Sequence, residues 1–258
     1  MPILLLKLTL TPLIVGGASV AARRWGASIG GWIVSLPLTS APVIFFLALD
    51  HGPAFAATAA TGTLVGLGIL GGWSLAFVWA CRRGPAAAVV TASLVFAGLG
   101  VAVQPFLDTA FAVLAALAVL SVTVALRLLP ATTTARSEEP HPAWDMPARV
   151  IVGTVIVVTL TTIAPLLGAH VSGLLATYPV YVTILSVFTQ LREGPEGAVD
   201  VIRGLLVGLF GTIGFYVVLY PGLTLAGVGP AFLAAIAVAL AIQVLALRSI
   251  RAGAAVPA

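Results

Sequence analysis

Long charge-free runs of apolar residues alternate along this chain with short clusters of charge and turn residues. A helix needs about 20 apolar residues to cross a bilayer. On that ruler the pattern predicts nine spans: 3–21, 28–49, 54–80, 85–104, 108–128, 149–168, 170–191, 198–220 and 225–247. Most junctions carry turn chemistry, as at Asp50-His51-Gly52-Pro53, Arg83-Gly84-Pro85, Gln104-Pro105, Gly194-Pro195 and Pro221-Gly222. The one long polar stretch, Pro130–Ala148, reads as a flexible linker. Lys7 sits inside the first apolar run rather than ahead of it, the wrong layout for a signal peptide. The expectation is an all-α integral membrane protein.

Composition agrees. The chain is 60% apolar and 8% charged, too little charge to cover a water-soluble particle of this size. Its net charge of +4 comes from basic residues scattered between spans, so no nucleic-acid-binding stripe forms. Those residues instead orient the chain. With the N-terminus outside, eleven of twelve lie on or near cytoplasmic segments: Arg23, Arg24, Arg82, Arg83, Arg127, Arg136, Arg149, Arg192, Arg203, Arg248 and Arg251. Lys7 is the exception. The expected location is a bacterial inner membrane, with the C-terminus in the cytoplasm.

A shift of 142 residues aligns Gly26–Gly72 with Gly168–Gly214 without a gap, and 15 of 47 positions are identical. Shared composition would give roughly 4 or 5. Gly26/Gly168, Gly31/Gly173, Pro37/Pro179, Gly52-Pro53/Gly194-Pro195, Gly62/Gly204, Gly66/Gly208 and Gly72/Gly214 are among the matches. The pattern divides the chain into a four-helix unit (1–104), a connector helix (105–129), a cytoplasmic linker (130–148) and a second four-helix unit (149–258). One odd connector makes the second unit enter from the opposite side, a 4+1+4 inverted-topology repeat of the kind many secondary transporters use.

The second unit, with Ser172-Gly173-Leu174-Leu175, Tyr178-Pro179 and Leu191-Arg192-Glu193-Gly194, resembles the GlpM-like bacterial inner-membrane proteins, which are single four-helix units. The first, with Gly30-Gly31-Trp32 and Leu36-Pro37, looks like a more distant copy. The resemblance implies a fused, double-length relative whose two units pair antiparallel. It implies architecture more than activity.

Matched Pro-interrupted spans are the sequence pointer to a transport site. Here they supply Ser35, Pro37, Thr39 and Ser40 in one half, and Thr177, Tyr178, Pro179, Tyr181 and Thr183 in the other. Their hydroxyls can either satisfy the carbonyls that proline frees or bind a solute. Gly62, Gly66, Gly204 and Gly208, at four-residue spacing, read as close helix packing. Arg203 lies about one turn into its helix and reads either as a gate with Asp200 or as an ordinary pair with it. Lys7, Arg149, Trp25, Trp32 and Trp79 read as interface anchors.

No Asp or Glu falls near a span centre, which disfavours a carboxylate-driven cation antiporter. Cys81 is alone, and His51 and His170 make a metal site only if their loops meet. No HExxH pattern, buried Asp pair or Ser-His constellation marks an enzyme, and no cofactor motif is present. The expected function is a transporter or permease for an unidentified small solute, with its site between the halves. The alternative is a non-transporting membrane factor that supports an enzyme or a lipid pathway. The bilayer is the expected partner, and either a monomer or a homodimer fits.

Overall fold

The computed structural model describes residues 2–38, 40–107, 109–132, 142, 144–163 and 178–254. Among them every regular element is a helix: α1 Pro2–Trp25, α2 Ala27–Val34, α3 Ser40–His51, α4 Pro53–Cys81, α5 Pro85–Ala102, a single 3-10 turn Gln104–Phe106, α6 Phe111–Leu128, α7 Asp145–Ile163, α8 Val180–Leu225 and α9 Val228–Ala254. Five of these, α4, α5, α6, α8 and α9, are long and apolar enough to cross a membrane.

One expected span is divided, and another boundary falls where expected. The stretch 28–49 is not one helix but two, because the backbone leaves the helix between Ser35 and Ser40 around Pro37. The stretches 170–191 and 198–220 keep the expected break: α8 consists of two helical arms that meet at Gly194, where the backbone leaves the helix just ahead of Pro195. Residues 164–177 lie outside the described set, so the first part of the 170–191 span is not on view.

The turns show how the chain reverses in so few residues. Gly52 (φ 89°) and Gly194 (φ 77°) occupy the left-handed region, and a proline follows each. Glycine ends a helix there without a Cβ penalty, and proline then occupies the first helical position, where its missing N–H costs nothing. Gly84 (φ 111°) and Pro85 repeat the device.

At the centre, α4 lies against α8. Leu64, Trp73 and Phe77 on α4, with Ile202, Leu206, Leu209, Ile213, Phe215 and Tyr216 on α8, are nearly inaccessible. The most apolar window of α4 is 72% buried, against 22% in α5 and in α6. The peripheral helices turn Leu94, Leu117, Leu120, Leu233, Leu240 and Leu245 outward. A periphery this apolar is what a lipid-solvated molecule presents.

Smaller groups of contacts complete the assembly. Ser121 on α6 donates to the Gly68 carbonyl of α4 at 2.7 Å, and the Phe111 and Tyr220 rings stack at 3.9 Å. Val15, Val157, Val180 and Ile184 form a second apolar cluster, separate from the main core, which joins α1, α7 and the first arm of α8.

Candidate functional site

The α2–α3 break lies against the second arm of α8, and one face of that arm explains how. Gly204, Gly208, Thr212 and Tyr216 follow each other every four residues, so they stack on one side of the helix. A Cβ on Gly204 would strike the backbone of Ser28, and one on Gly208 would strike Ser35. Gly31 on α2 is equally close to the backbone of Val201. Two helices therefore touch backbone to backbone. One turn on, Thr212 donates its hydroxyl to the Ser35 carbonyl at 2.5 Å. That carbonyl belongs to the C-cap of α2, a group that the interrupted helix would otherwise leave unsatisfied. Ser35 turns its own hydroxyl to the Trp32 carbonyl at 2.6 Å.

Tyr216 comes next along the face. Its side chain is fully buried, and its hydroxyl stands beside those of Ser40, at the start of α3, and Thr63 on α4. None of these contacts reaches hydrogen-bond geometry, so the phenol oxygen is buried without a partner. The indole Nε1 of Trp32 is likewise buried and unpartnered. A buried polar atom without a partner costs roughly 1–3 kcal/mol, so such atoms are rare. The break thus gathers Ser35, Ser40, Thr63, Thr212 and Tyr216, together with a free indole N–H and the facing ends of two short helices. The arrangement carries no formal charge and offers hydrogen bonds.

The other expected site residues go elsewhere. Tyr178 pairs its hydroxyl with Ser93 of α5 at 2.7 Å and sets its ring edge-on to Phe96. Tyr181 reaches Thr11 of α1 at 3.2 Å, and Thr183 donates to the Pro179 carbonyl at 2.7 Å. Pro179 is not in mid-helix but caps the start of α8. Thr39, Thr177 and His170 lie outside the described residues. Within the described set, the hydroxyls of the two halves do not converge on one lining. Ser40 and Ser35 look to α8, whereas Tyr178 and Tyr181 look to α5 and α1.

Further corrections follow from burial. Trp25 and Trp79 are exposed, as anchors should be, with Arg24 and Arg83 over their rings. Trp32 is half-buried, with its ring packed at Gly208 and its Nε1 turned inward, rather than exposed as Trp25 and Trp79 are. Gly66 is buried, but Gly62 is exposed and no described neighbour would meet a Cβ there. Arg203 donates to the Pro130 carbonyl at 2.5 Å, and Asp200 accepts from Thr132 at 2.6 Å. Both hold the chain that leaves α6. His51 stacks on Phe55, and no group of three or more metal-ligating side chains occurs among the described residues.

A buried ionic cluster was not legible from the spans. Asp145, the first residue of α7, is completely inaccessible and is surrounded by arginines from three helices. Arg149, one turn on, donates Nε to Oδ2 at 2.8 Å. Arg23, from the end of α1, donates to the same oxygen, and Arg192, from the first arm of α8, lies 3.6 Å from Oδ1. The Phe188 ring faces Arg149, and the exposed Trp144 ring faces Arg192. Arg149 is thus a buried member of an ion cluster, not an interface anchor. Burial alone would raise the Asp145 carboxyl. The hydrogen bonds and charges of Arg149 and Arg23 outweigh it and hold the group below the usual carboxylate range. The one sequence signal was the four-residue spacing of Asp145 and Arg149, within a helical turn. Compared with protein-family models, curated proteins and solved structures, the chain matches none.

Proposed function

We propose that this multi-pass membrane protein is a small-solute transporter or permease, with its binding site at the break between α2 and α3. The observation that carries the reading is the lane of uncharged polar groups at that break, ending in the buried, unpartnered hydroxyl of Tyr216. Broken helices in a membrane are tolerated where their backbone is buried in protein or lines a cavity. In secondary transporters such breaks form the substrate site. Hydroxyls, an indole N–H and helix-end carbonyls suit an uncharged, hydrogen-bonding solute.

The reading includes an inverted pair of four-helix units around a connector, as the 142-residue offset suggests. Supporting it, Gly52 and Gly194 stand at that offset and share the same left-handed backbone, each ahead of a proline. The resemblance to GlpM-like four-helix units points the same way. On this plan the arginine-rich end faces the cytoplasm of a bacterial cell.

A second reading, a non-transporting membrane factor, draws on a different observation. Tyr178, Tyr181 and Thr183 are all engaged inside the protein, which is what structural hydroxyls do. Proteoliposome uptake of a panel of polyols, neutral amino acids, monocarboxylates and inorganic phosphate separates the two. Transport at this site requires flux of at least one solute above empty liposomes, reduced at least tenfold by Tyr216→Phe and by Pro37→Ala. Flux that both variants leave intact moves the site elsewhere, and no flux for any solute favours the membrane factor.

A further inference from the structure

The Asp145 cluster does more than neutralise charge, because of what it joins. α7 packs chiefly on α1 and on the first arm of α8. The apolar patch that α7 shares with them is the small cluster of Val15, Val157, Val180 and Ile184, while Ala18 and Ala22 of α1 and Val182 and Leu185 of that arm face the main core. Polar contacts close both ends of that patch: Tyr181 with Thr11 at one, and Asp145 with Arg23, Arg149 and Arg192 at the other. The first arm of α8 is joined to the second through Gly194, where the backbone is already out of the helix.

Just inside the cluster, Gln190 donates Nε2 to the carbonyl of Cys81 at 2.6 Å, so the same arm covers the end of α4. Cys81 is 1% exposed, and its thiol points back to the Val78 carbonyl. Without the carboxylate, the buried guanidinium of Arg149 would face those of the partly exposed Arg23 and Arg192, with the charge of Glu193 also acting on Arg149.

We propose that Asp145 is the bolt of a releasable clasp at the arginine-rich end of the molecule. Bolted, it holds α1, α7 and the first arm of α8 together and keeps the end of α4 dry. Released, that arm turns about Gly194, the Gln190–Cys81 bond parts, and water reaches Cys81. The clasp holds whether or not the molecule carries a solute, so its test needs no substrate.

Cys81 is the sole cysteine of the chain and reports directly. Full-length protein in lipid nanodiscs at neutral pH is labelled with a water-soluble maleimide, and the rate is followed by mass. Asp145→Asn is expected to label at least tenfold faster than the wild type, and Arg192→Gln to fall between them. The double variant Asp145→Asn, Arg192→Gln, with one cation fewer, is expected to label more slowly than Asp145→Asn alone. Hydrogen exchange over 201–216 in the core is expected to stay at wild-type protection throughout. Wild-type labelling in a folded Asp145→Asn protein overturns the proposal, as does faster labelling matched by loss of protection across 201–216. If Asp145→Asn does not fold, Arg192→Gln decides: faster labelling with an intact core supports the clasp, and the wild-type rate removes it.

Discussion

Two interfaces meet on α8, and they are built in opposite ways. The second arm meets α2 through Gly31, Gly204 and Gly208, with backbones in contact. The first arm meets α1 and α7 through a few valines and isoleucines, and an ion cluster closes the end. In a membrane, apolar side chains gain little by leaving lipid, so helices associate through close packing or through polar contacts. The molecule uses one solution on each arm. Backbone contact is short-ranged and has one good geometry, whereas charges attract over longer distances and can be switched off. One interface suits a fixed scaffold, and the other suits a part that moves.

Substitutions can test that contrast, beginning with the largest expected effect. Replacing Asp145 by Ala leaves three arginines without their carboxylate and is expected to cost about 3–5 kcal/mol, measured by SDS-driven unfolding in mixed micelles. A loss under ~1 kcal/mol would mean that the cluster behaves as exposed ion pairs do. The same interface carries a pH dependence. Asp145 has a lowered carboxyl pKa in the fold, so its contribution is complete above the ordinary carboxylate range and lost as pH falls through the lowered value. Acid titration of Asp145→Asn should lack that part of the loss. An identical acid limb in both proteins would assign it to other carboxylates.

Gly204→Ala attacks the other interface, and the added methyl meets the Ser28 backbone, which cannot rotate aside. The expected cost is about 1–3 kcal/mol in the same unfolding assay. Gly31→Ala should cost a similar amount. The pair together should cost less than the sum, since either one alone already parts the helices. Strict additivity would show that the two glycines do not share one contact. Thr212→Val removes the hydroxyl that caps α2 and should cost about 0.6 kcal/mol, the average for side-chain hydrogen bonds within membranes, and at most about 1.7 kcal/mol. The smallest effect belongs to Gly62→Ala, at the position 142 residues before Gly204. With open space around it, that change should be neutral or add up to ~1 kcal/mol of stability. Equal losses at Gly62 and Gly204 would erase the distinction between the two positions.

Sequence alone reached the helical, lipid-solvated character of the chain, because a bilayer imposes its thickness on every span. It also reached the tight turns, since glycine followed by proline has few other uses in such a chain. Ser35, Pro37 and Ser40 were legible as a break because proline cannot continue the hydrogen-bond ladder. Tyr216, Thr212 and Thr63 were not, because their relevance comes from which helix faces the break, a property of packing rather than of local pattern. Tyr178 and Tyr181 misled for the same reason: neighbouring positions on one segment point to different helices. Asp145 was hidden by its surroundings in the chain. A charged, proline-containing stretch reads as a linker until its last residues wind into a helix that folds the carboxylate inward.

The lengths of the helices carry one more consequence. At about 1.5 Å per residue, the 29 residues of α4 rise roughly 43 Å, whereas the 18 residues each of α5 and α6 rise only about 27 Å. α4 and α5 are joined by a Gly-Pro turn with no slack to absorb that difference. Between α5 and α6 an apolar cleft of about 480 Å³, floored by Val65, Gly68 and Ile69, opens on the short side. The long helix is thus the one mostly buried in protein, and the two short ones carry the exposed apolar faces, so the depth of bilayer this flank matches is set by α5 and α6 rather than by α4.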